Sequence, residues 1–260
     1  MTADPLVGRG AVVTGGGRGI GAAIARALSA AGAGVVAAAR TSREIEDVAS
    51  ALRARGAKAW AIACDVTVEG SVIDLGRESR RVLGTVDILV NNAGASASAP
   101  LRKITLEDWE RMLRVNATGT FLCTREFAPE MAGRGWGRIV NVASLAGLEG
   151  AKYVAHYSAA KHAVLGFTRS VALEFAGTGV MVNAVCPGYV DTPMTERTLA
   201  NVESRAGLSR DQALASVLAS AGQTRLVSAE EVAAAVLDLC VGASGRSGQS
   251  IVLKAGAIAP

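Results

Sequence analysis

Aromatic side chains are scarce in this sequence. Phe, Trp and Tyr together make up 4% of its 260 residues, too few to suggest the stacking platforms that hold single-stranded nucleic acid. Histidine is rarer still: His156 and His162 are the only two, and neither stands at metal-ligand spacing from a cysteine. Cys64, Cys123, Cys186 and Cys240 lie far apart and form no C-x-x-C pair, so they read as free thiols of a reducing cytoplasm and not as a disulfide framework. Apolar runs of membrane-spanning length are missing as well, because Arg26 and Arg40 interrupt the long alanine-rich stretch. The opening MTADPLVGRG lacks the apolar centre of a secretory signal. A cytoplasmic protein with no membrane and no nucleic-acid partner is expected. Its net charge of +4 is scattered, and the densest basic group, Arg77 to Arg81, falls on a predicted helix as a solvated face.

Small and aliphatic residues are abundant. Half of the chain is hydrophobic and 30 residues are glycine, a composition suited to helices packed closely on a sheet. Short β-type runs at 11–15, 34–39, 57–66, 86–94, 137–144, 179–188 and 249–254 alternate with helical patterns. Those patterns cover 19–32, 42–56 with Ser42 as its cap, 71–84, 105–133, 153–177 and 228–241, and a charged, alanine-rich region fills 195–221. The strand runs are continuously apolar, as expected of strands buried on both faces. The order predicts one α/β domain over 1–260, built on a doubly wound, seven-stranded parallel sheet with helices on both faces.

TGGGRGIG follows the first strand and opens the first helix, over Thr14 to Gly21. Glycines there permit a tight turn and close approach to a pyrophosphate, which the helix N-terminus would receive. The spacing is T-G-x-x-x-G-x-G, with Gly15, Gly19 and Gly21. At the end of the second strand, where a carboxylate would bind the ribose 2′-hydroxyl of NAD, the chain has Ala39 and Arg40. Arg40 and Arg18 suit a 2′-phosphate, so NADP(H) is the expected cofactor and NAD(H) the alternative.

Tyr157 and Lys161 stand at i and i+4 on one helix face. An ammonium beside a phenol favours the phenolate, so a lowered tyrosine pKa is expected, suited to acid–base work on a ketone or alcohol. Ser144 lies thirteen residues earlier at a strand end, and Asn116 sits among apolar residues of the preceding long helix, where it needs a polar partner.

The glycine turn, NNAG at 91–94, Asn116, Ser144, Y-x-x-x-K and PG at 187–188 occur in this order, and together they resemble the short-chain dehydrogenase/reductase superfamily from about Gly10 to Leu253. The resemblance implies a Rossmann fold and a hydride exchanged between a nicotinamide cofactor and a ketone or secondary alcohol. It makes Tyr157 the general acid or base. Lys161 would tune it and hold the nicotinamide ribose, Ser144 would hold the substrate carbonyl, and Asn116 would hold a proton-relaying water. It assigns cofactor contacts to Gly15, Arg18, Gly19, Ile20 and Gly21, to Asp65 and Val66 at the adenine, and to Asn92, Ala93 and Gly94. Pro187, Gly188, Val190 and Thr192 would meet the nicotinamide end. Residues 189–227 would form a substrate lid, longer than in compact fatty-acid ketoreductases. A homotetramer packed through the two long helices is also implied.

The pattern is similar to 3-oxoacyl reductases, polyketide ketoreductases and hydroxyacyl dehydrogenases. The basic residues with which carrier-protein reductases dock are replaced at Gly135 and Thr178, unless Arg134 and Arg138 compensate, so an acyl-CoA thioester or small ketone is favoured. Lys254 replaces the family's usual terminal acid, which argues against a tail-borne metal site. The alternatives are an NAD-linked alcohol or hydroxyacyl-CoA dehydrogenase, a polyketide-type ketoreductase, and a non-catalytic dinucleotide sensor.

Overall fold

Valines and alanines dominate the strands, and in the computed structural model they alternate between two helical layers. The structure describes residues 4–242, 245–254 and 257–259. Strands β1 (Gly10–Thr14), β2 (Gly34–Ala39), β3 (Ala59–Ala63), β4 (Ile88–Asn91), β5 (Gly137–Val142), β6 (Val180–Pro187) and β7 (Ser250–Lys254) are the seven expected, and all run parallel. A short β8 (Ala257–Ala259), not foreseen, adds to the edge antiparallel to β7. The spatial order is β3-β2-β1-β4-β5-β6-β7-β8.

On one face Val13, Val35, Val90 and Val140 meet helices α1 (Gly19–Ala30), α2 (Ser42–Arg53) and α9 (Ala229–Val241) through residues such as Ile24, Leu28, Leu52 and Val236. On the other, Val12, Val36, Leu89 and Ile139 meet Leu75 of α3 (Glu69–Leu83), Phe127 and Met131 of α5 (Gly119–Gly133) and Val171 of α6 (Ala155–Glu174). The order reverses between β1 and β4, which opens a crevice at the carboxyl ends of the strands.

Two local features depart from the sequence reading, and a third region, expected to be mostly helical, takes definite bounds. Thr41, not Ser42, occupies the cap position of α2, and its side chain makes no capping bond. The single helix expected over 105–133 is α4 (Leu106–Leu113), a π-turn (Arg114–Thr118) and α5. The region 195–221 is two helices, α7 (Pro193–Ala206) and α8 (Arg210–Ser220), separated at Gly207, whose φ of 64° allows the left-handed stop.

A staple ties the two ends of the segment that carries α7 and α8. Val190 and Val227 form a parallel bridge, Asp191 N donates to Val227 O at 2.8 Å, and Val227 N to Tyr189 O at 3.0 Å. Buried Gln223 accepts from Tyr189 N at 2.7 Å and donates to Tyr189 O at 3.2 Å. Arg77 and Arg81 are exposed and paired with carboxylates of their own helix, whereas Arg80 is half-buried and ties α3 to Glu126 and Glu130 of α5, so the basic group is only in part the solvated face expected. Among the described residues no helix is long and apolar enough to cross a membrane.

Candidate active site

The glycine turn owes its shape to contacts that leave no room for side chains. Gly15 and Gly19 have φ of 64° and 51°, a region that favours glycine. A Cβ on Gly21 would lie 2.1 Å from the Gly15 carbonyl oxygen and 2.5 Å from Asn92 Nδ2. Asn92 Nδ2 in turn donates to Thr14 O at 2.9 Å and Gly15 O at 3.1 Å. The Thr14 hydroxyl completes the seam, accepting from Asn92 N and Ala93 N at 3.1 and 3.0 Å. The ends of β1 and β4 are therefore locked together under the first turn of α1, whose leading N–H groups have no partner within the helix.

A cleft of about 760 Å³ runs from this turn across the strand ends, and every site residue named from the sequence lines it. Gly15, Arg18, Gly19, Ile20 and Gly21 form its floor at one end, beside Arg40, Asp65 and Val66. Asn92, Ala93 and Gly94 follow in the middle, with Asn116, Ser144, Tyr157 and Lys161 beyond them. Pro187, Gly188, Val190 and Thr192 close the side under α7, and Thr192 packs above Gly19. A narrow turn that any Cβ would fill, at a helix N-terminus, fits the pyrophosphate of a dinucleotide.

The adenosine end holds a residue that sequence reading missed. Arg18 Nη1 is bonded to Glu44 Oε1 at 3.2 Å, so of the two expected arginines only Arg40 is without a carboxylate bond among the described residues. Glu44 lies twenty-six positions from Arg18, and no local spacing announces the pair. Burial would raise the Asp65 carboxyl, but hydrogen bonds from Thr67 and the charge of Arg40 hold it below the ordinary aspartate value.

At the other end, the π-turn brings the Asn116 side chain into the seam between α4 and the loop after β4. Its Nδ2 donates to Ala95 O at 2.9 Å and Met112 O at 3.0 Å, and its Oδ1 accepts from Ala95 N at 3.3 Å. These are the partners its burial demanded. Ser144 caps a short 3₁₀ turn, Leu145–Gly147, by accepting from Ala146 N. Ser158 of α6 ties that turn down, donating to Ala146 O at 2.6 Å.

Lys161 is 5% exposed, and its Nζ donates to Val142 O at 2.8 Å. Burial pushes its pKa down to about 8. The expected lowering of the tyrosine does not appear. Burial raises the Tyr157 phenol above its ordinary value, while a hydrogen bond with Ser144 opposes that rise. Lys161 Nζ sits 5.8 Å from the centre of the tyrosine ring. The same desolvation that disfavours the phenolate also disfavours the ammonium that would stabilise it.

The lysine shift has a consequence for stability. Its folded pKa, about 8, lies below the ordinary 10.5, so between those values the unfolded chain binds more protons than the folded one. Stability gained from losing that charge therefore rises with pH across the window, and the burial penalty is complete below pH 8. In urea unfolding, wild type should gain about 1–3 kcal/mol relative to Lys161→Met between pH 7 and 10. A difference that stays flat with pH would show that Lys161 is not desolvated.

The short chain dehydrogenase family model matches residues 9–203. The chain is 43% identical over 197 residues to a 3-oxoacyl-[acyl-carrier-protein] reductase of Synechocystis, covering 75% of this chain and 79% of that one. It is 36% identical over 234 residues to a D-beta-hydroxybutyrate dehydrogenase of Rhizobium meliloti, covering 88% and 90%. Among solved structures, a single-residue variant of actinorhodin polyketide ketoreductase with NADPH superposes with a TM-score of 0.90 at 36% identity, over 95% of this chain and 96% of that one. Fold, glycine cradle and sequence kinship converge: the chain belongs to the short-chain dehydrogenase family and is an NAD(P)-dependent oxidoreductase.

Proposed function

We propose that this enzyme is an NADP(H)-preferring reductase of ketones, acting on a 3-oxoacyl thioester or a comparable small ketone. The observation that carries this reading is the convergence of Ser144, Tyr157 and Lys161 on one cleft with the glycine turn. When bound, the nicotinamide supplies the hydride. Tyr157, kept protonated by its burial, gives its proton to the substrate oxygen in reduction and recovers it in oxidation. Ser144 donates a hydrogen bond to that oxygen and orients the carbonyl. Lys161 holds the nicotinamide ribose and returns a proton towards Tyr157. The Asn116 amide is engaged by Ala95 and Met112, and its main-chain carbonyl already accepts from the Thr120 hydroxyl at 2.8 Å, so the relaying water would take the second lone pair of that carbonyl.

Arg40 supports the NADP preference, since Arg18 already has Glu44. The polyketide ketoreductase to which the chain is similar was solved with NADPH. Arg40→Ala should raise the KM for NADPH by roughly 5- to 50-fold, as loss of one charge-assisted contact predicts, and leave NADH within about 2-fold. Equal effects on both cofactors would remove the 2′-phosphate from this position.

Carrier-protein docking is the weaker reading. Arg134 is committed to Glu130 and Asp87, and Arg138 is buried, donating to Gly137 O and Gly179 O. Neither compensates for Gly135 and Thr178. The primary test is oxidation of NADPH and NADH by acetoacetyl-CoA. Turnover with NADPH supports the proposal; turnover with NADH alone favours the NAD-linked dehydrogenase, and none with either moves the search to other ketones and alcohols.

A cytoplasmic homotetramer is part of the same proposal. Its four thiols are free, and α4 to α6 leave Leu106, Trp109, Phe121 and Leu173 exposed for a second copy to cover. The segment 189–227 acts as the lid over substrate.

A further inference from the structure

α7 sorts its charges by face. Met194, Arg197, Thr198, Asn201 and Arg205 all line the cleft, with spacings of three and four residues that place them on adjoining rows of one helical face. The carboxylates of the same helix, Glu196 and Glu203, lie elsewhere, and both are bonded by Arg210 of α8. Negative charge is thus neutralised outside the cleft, and positive charge is left inside it.

The cleft wall does not supply a counter-ion for Arg197, which makes no ion pair among the described residues. Of the carboxylates that line the cleft, Glu44 is bonded to Arg18, Asp65 accepts from Thr67, and Glu149 lies 3.9 Å from Lys254 Nζ. Arg205 spends one donor on the Ser98 carbonyl at 3.1 Å, which fastens the end of α7 across the cleft to the loop after β4. The other end of α7 rests on the glycine turn through Thr192. Arg197 stands between these anchors, with the amide of Asn201 one turn on; the Thr198 hydroxyl beside it donates to Met194 O at 3.2 Å and is already spent. A guanidinium with a further N–H donor next to it is a receptor for an oxyanion.

We infer that the substrate carries an anionic group, a carboxylate or a phosphate, joined to its reacting ketone and seated against Arg197 and the amide of Asn201. This inference rests on the reductase reading above and narrows its substrate class. The reacting carbonyl meets Ser144 and Tyr157 while the anion is held on α7, so the charged end fixes which part of the molecule faces the hydride.

The test uses the enzyme–NADPH complex and ligands in matched pairs. 3-Oxobutanoate and 4-oxopentanoate are compared with their methyl esters, and acetoacetyl-phosphopantetheine with acetoacetyl-pantetheine. NADPH oxidation gives kcat/KM, and calorimetry gives affinity for the complex. The anionic member of at least one pair should be favoured by roughly 10- to 100-fold, and Arg197→Gln should reduce that ratio by at least about 10-fold. The carboxylate pairs and the phosphate pair tell the two sources of charge apart. Arg210→Gln, on the outer face, should leave the ratio in place. Ratios near one in every pair, or a ratio that survives Arg197→Gln, overturn the inference. So does a tenfold loss of NADPH affinity in Arg197→Gln, which would give the guanidinium to the cofactor phosphates. A charge preference in calorimetry without oxidation of NADPH by any ketone would uphold the anion site and sink the reductase reading.

Discussion

Tyr157→Phe should lower kcat for ketone reduction by roughly 10²- to 10⁴-fold, the range for loss of a positioned general acid, while NADPH still binds. The substitution removes one oxygen and keeps the ring, so the packing of α6 is little changed. Burial holds the Tyr157 phenol above its ordinary pKa, and reduction therefore has its proton at neutral pH. Oxidation of the alcohol needs the phenolate, so its rate in wild type should climb as pH rises towards 9, while reduction stays level or falls. The rise in oxidation with pH should vanish in Tyr157→Phe. A loss smaller than about 10-fold, or pH profiles unchanged by the substitution, would take the proton transfer away from Tyr157 and leave Ser144 as the group to examine.

Gly21→Ala should be the most damaging single methyl in the cofactor end. A Cβ there meets the Gly15 carbonyl oxygen at 2.1 Å and Asn92 Nδ2 at 2.5 Å. The first is main chain and the second is anchored by two hydrogen bonds, so neither yields cheaply. Overpacking of this kind costs about 1–3 kcal/mol, a fall in Tm of roughly 2–10 °C for a chain of this size. The turn must also move, and NADPH affinity should drop by at least about 10-fold because the phosphate cradle loses its shape. Calorimetric titration with NADPH and a thermal melt read the two effects separately. Unchanged affinity with a lowered Tm would mean that the turn is a structural joint and that the dinucleotide lies elsewhere.

Much of this site is readable from the chain because its parts are local. Gly15, Gly19 and Gly21 fall within seven residues, and Tyr157 and Lys161 share one helical turn, so strand and helix periodicity alone nearly places them. What escapes such reading depends on partners far along the chain. Glu44 reaches Arg18 from α2, and Gln223 reaches Tyr189 across thirty-four positions. The π-turn around Asn116 escapes because one inserted residue shifts the apolar repeat by a single position, within the scatter of a pattern that reads as continuous helix. The direction of the tyrosine shift escapes for a related reason: neighbours in sequence suggest charge, but burial belongs to the whole fold. That Thr41 and not Ser42 holds the cap position of α2 is a difference of one residue, of the size expected where a helix begins.

The Val190–Val227 bridge makes the two ends of the intervening stretch immediate neighbours. A loop whose ends are already joined adds little closure entropy when it is lengthened or exchanged, because that cost grows only with the logarithm of its length. The residues between them thus form a cassette, set on a hydride-transfer core whose own strands and turn need not change to accept a replacement. A relative's stretch grafted between Tyr189 and Val227 should therefore leave the sheet and the glycine turn folded as they are, provided the graft keeps the bonds from Gln223 to Tyr189.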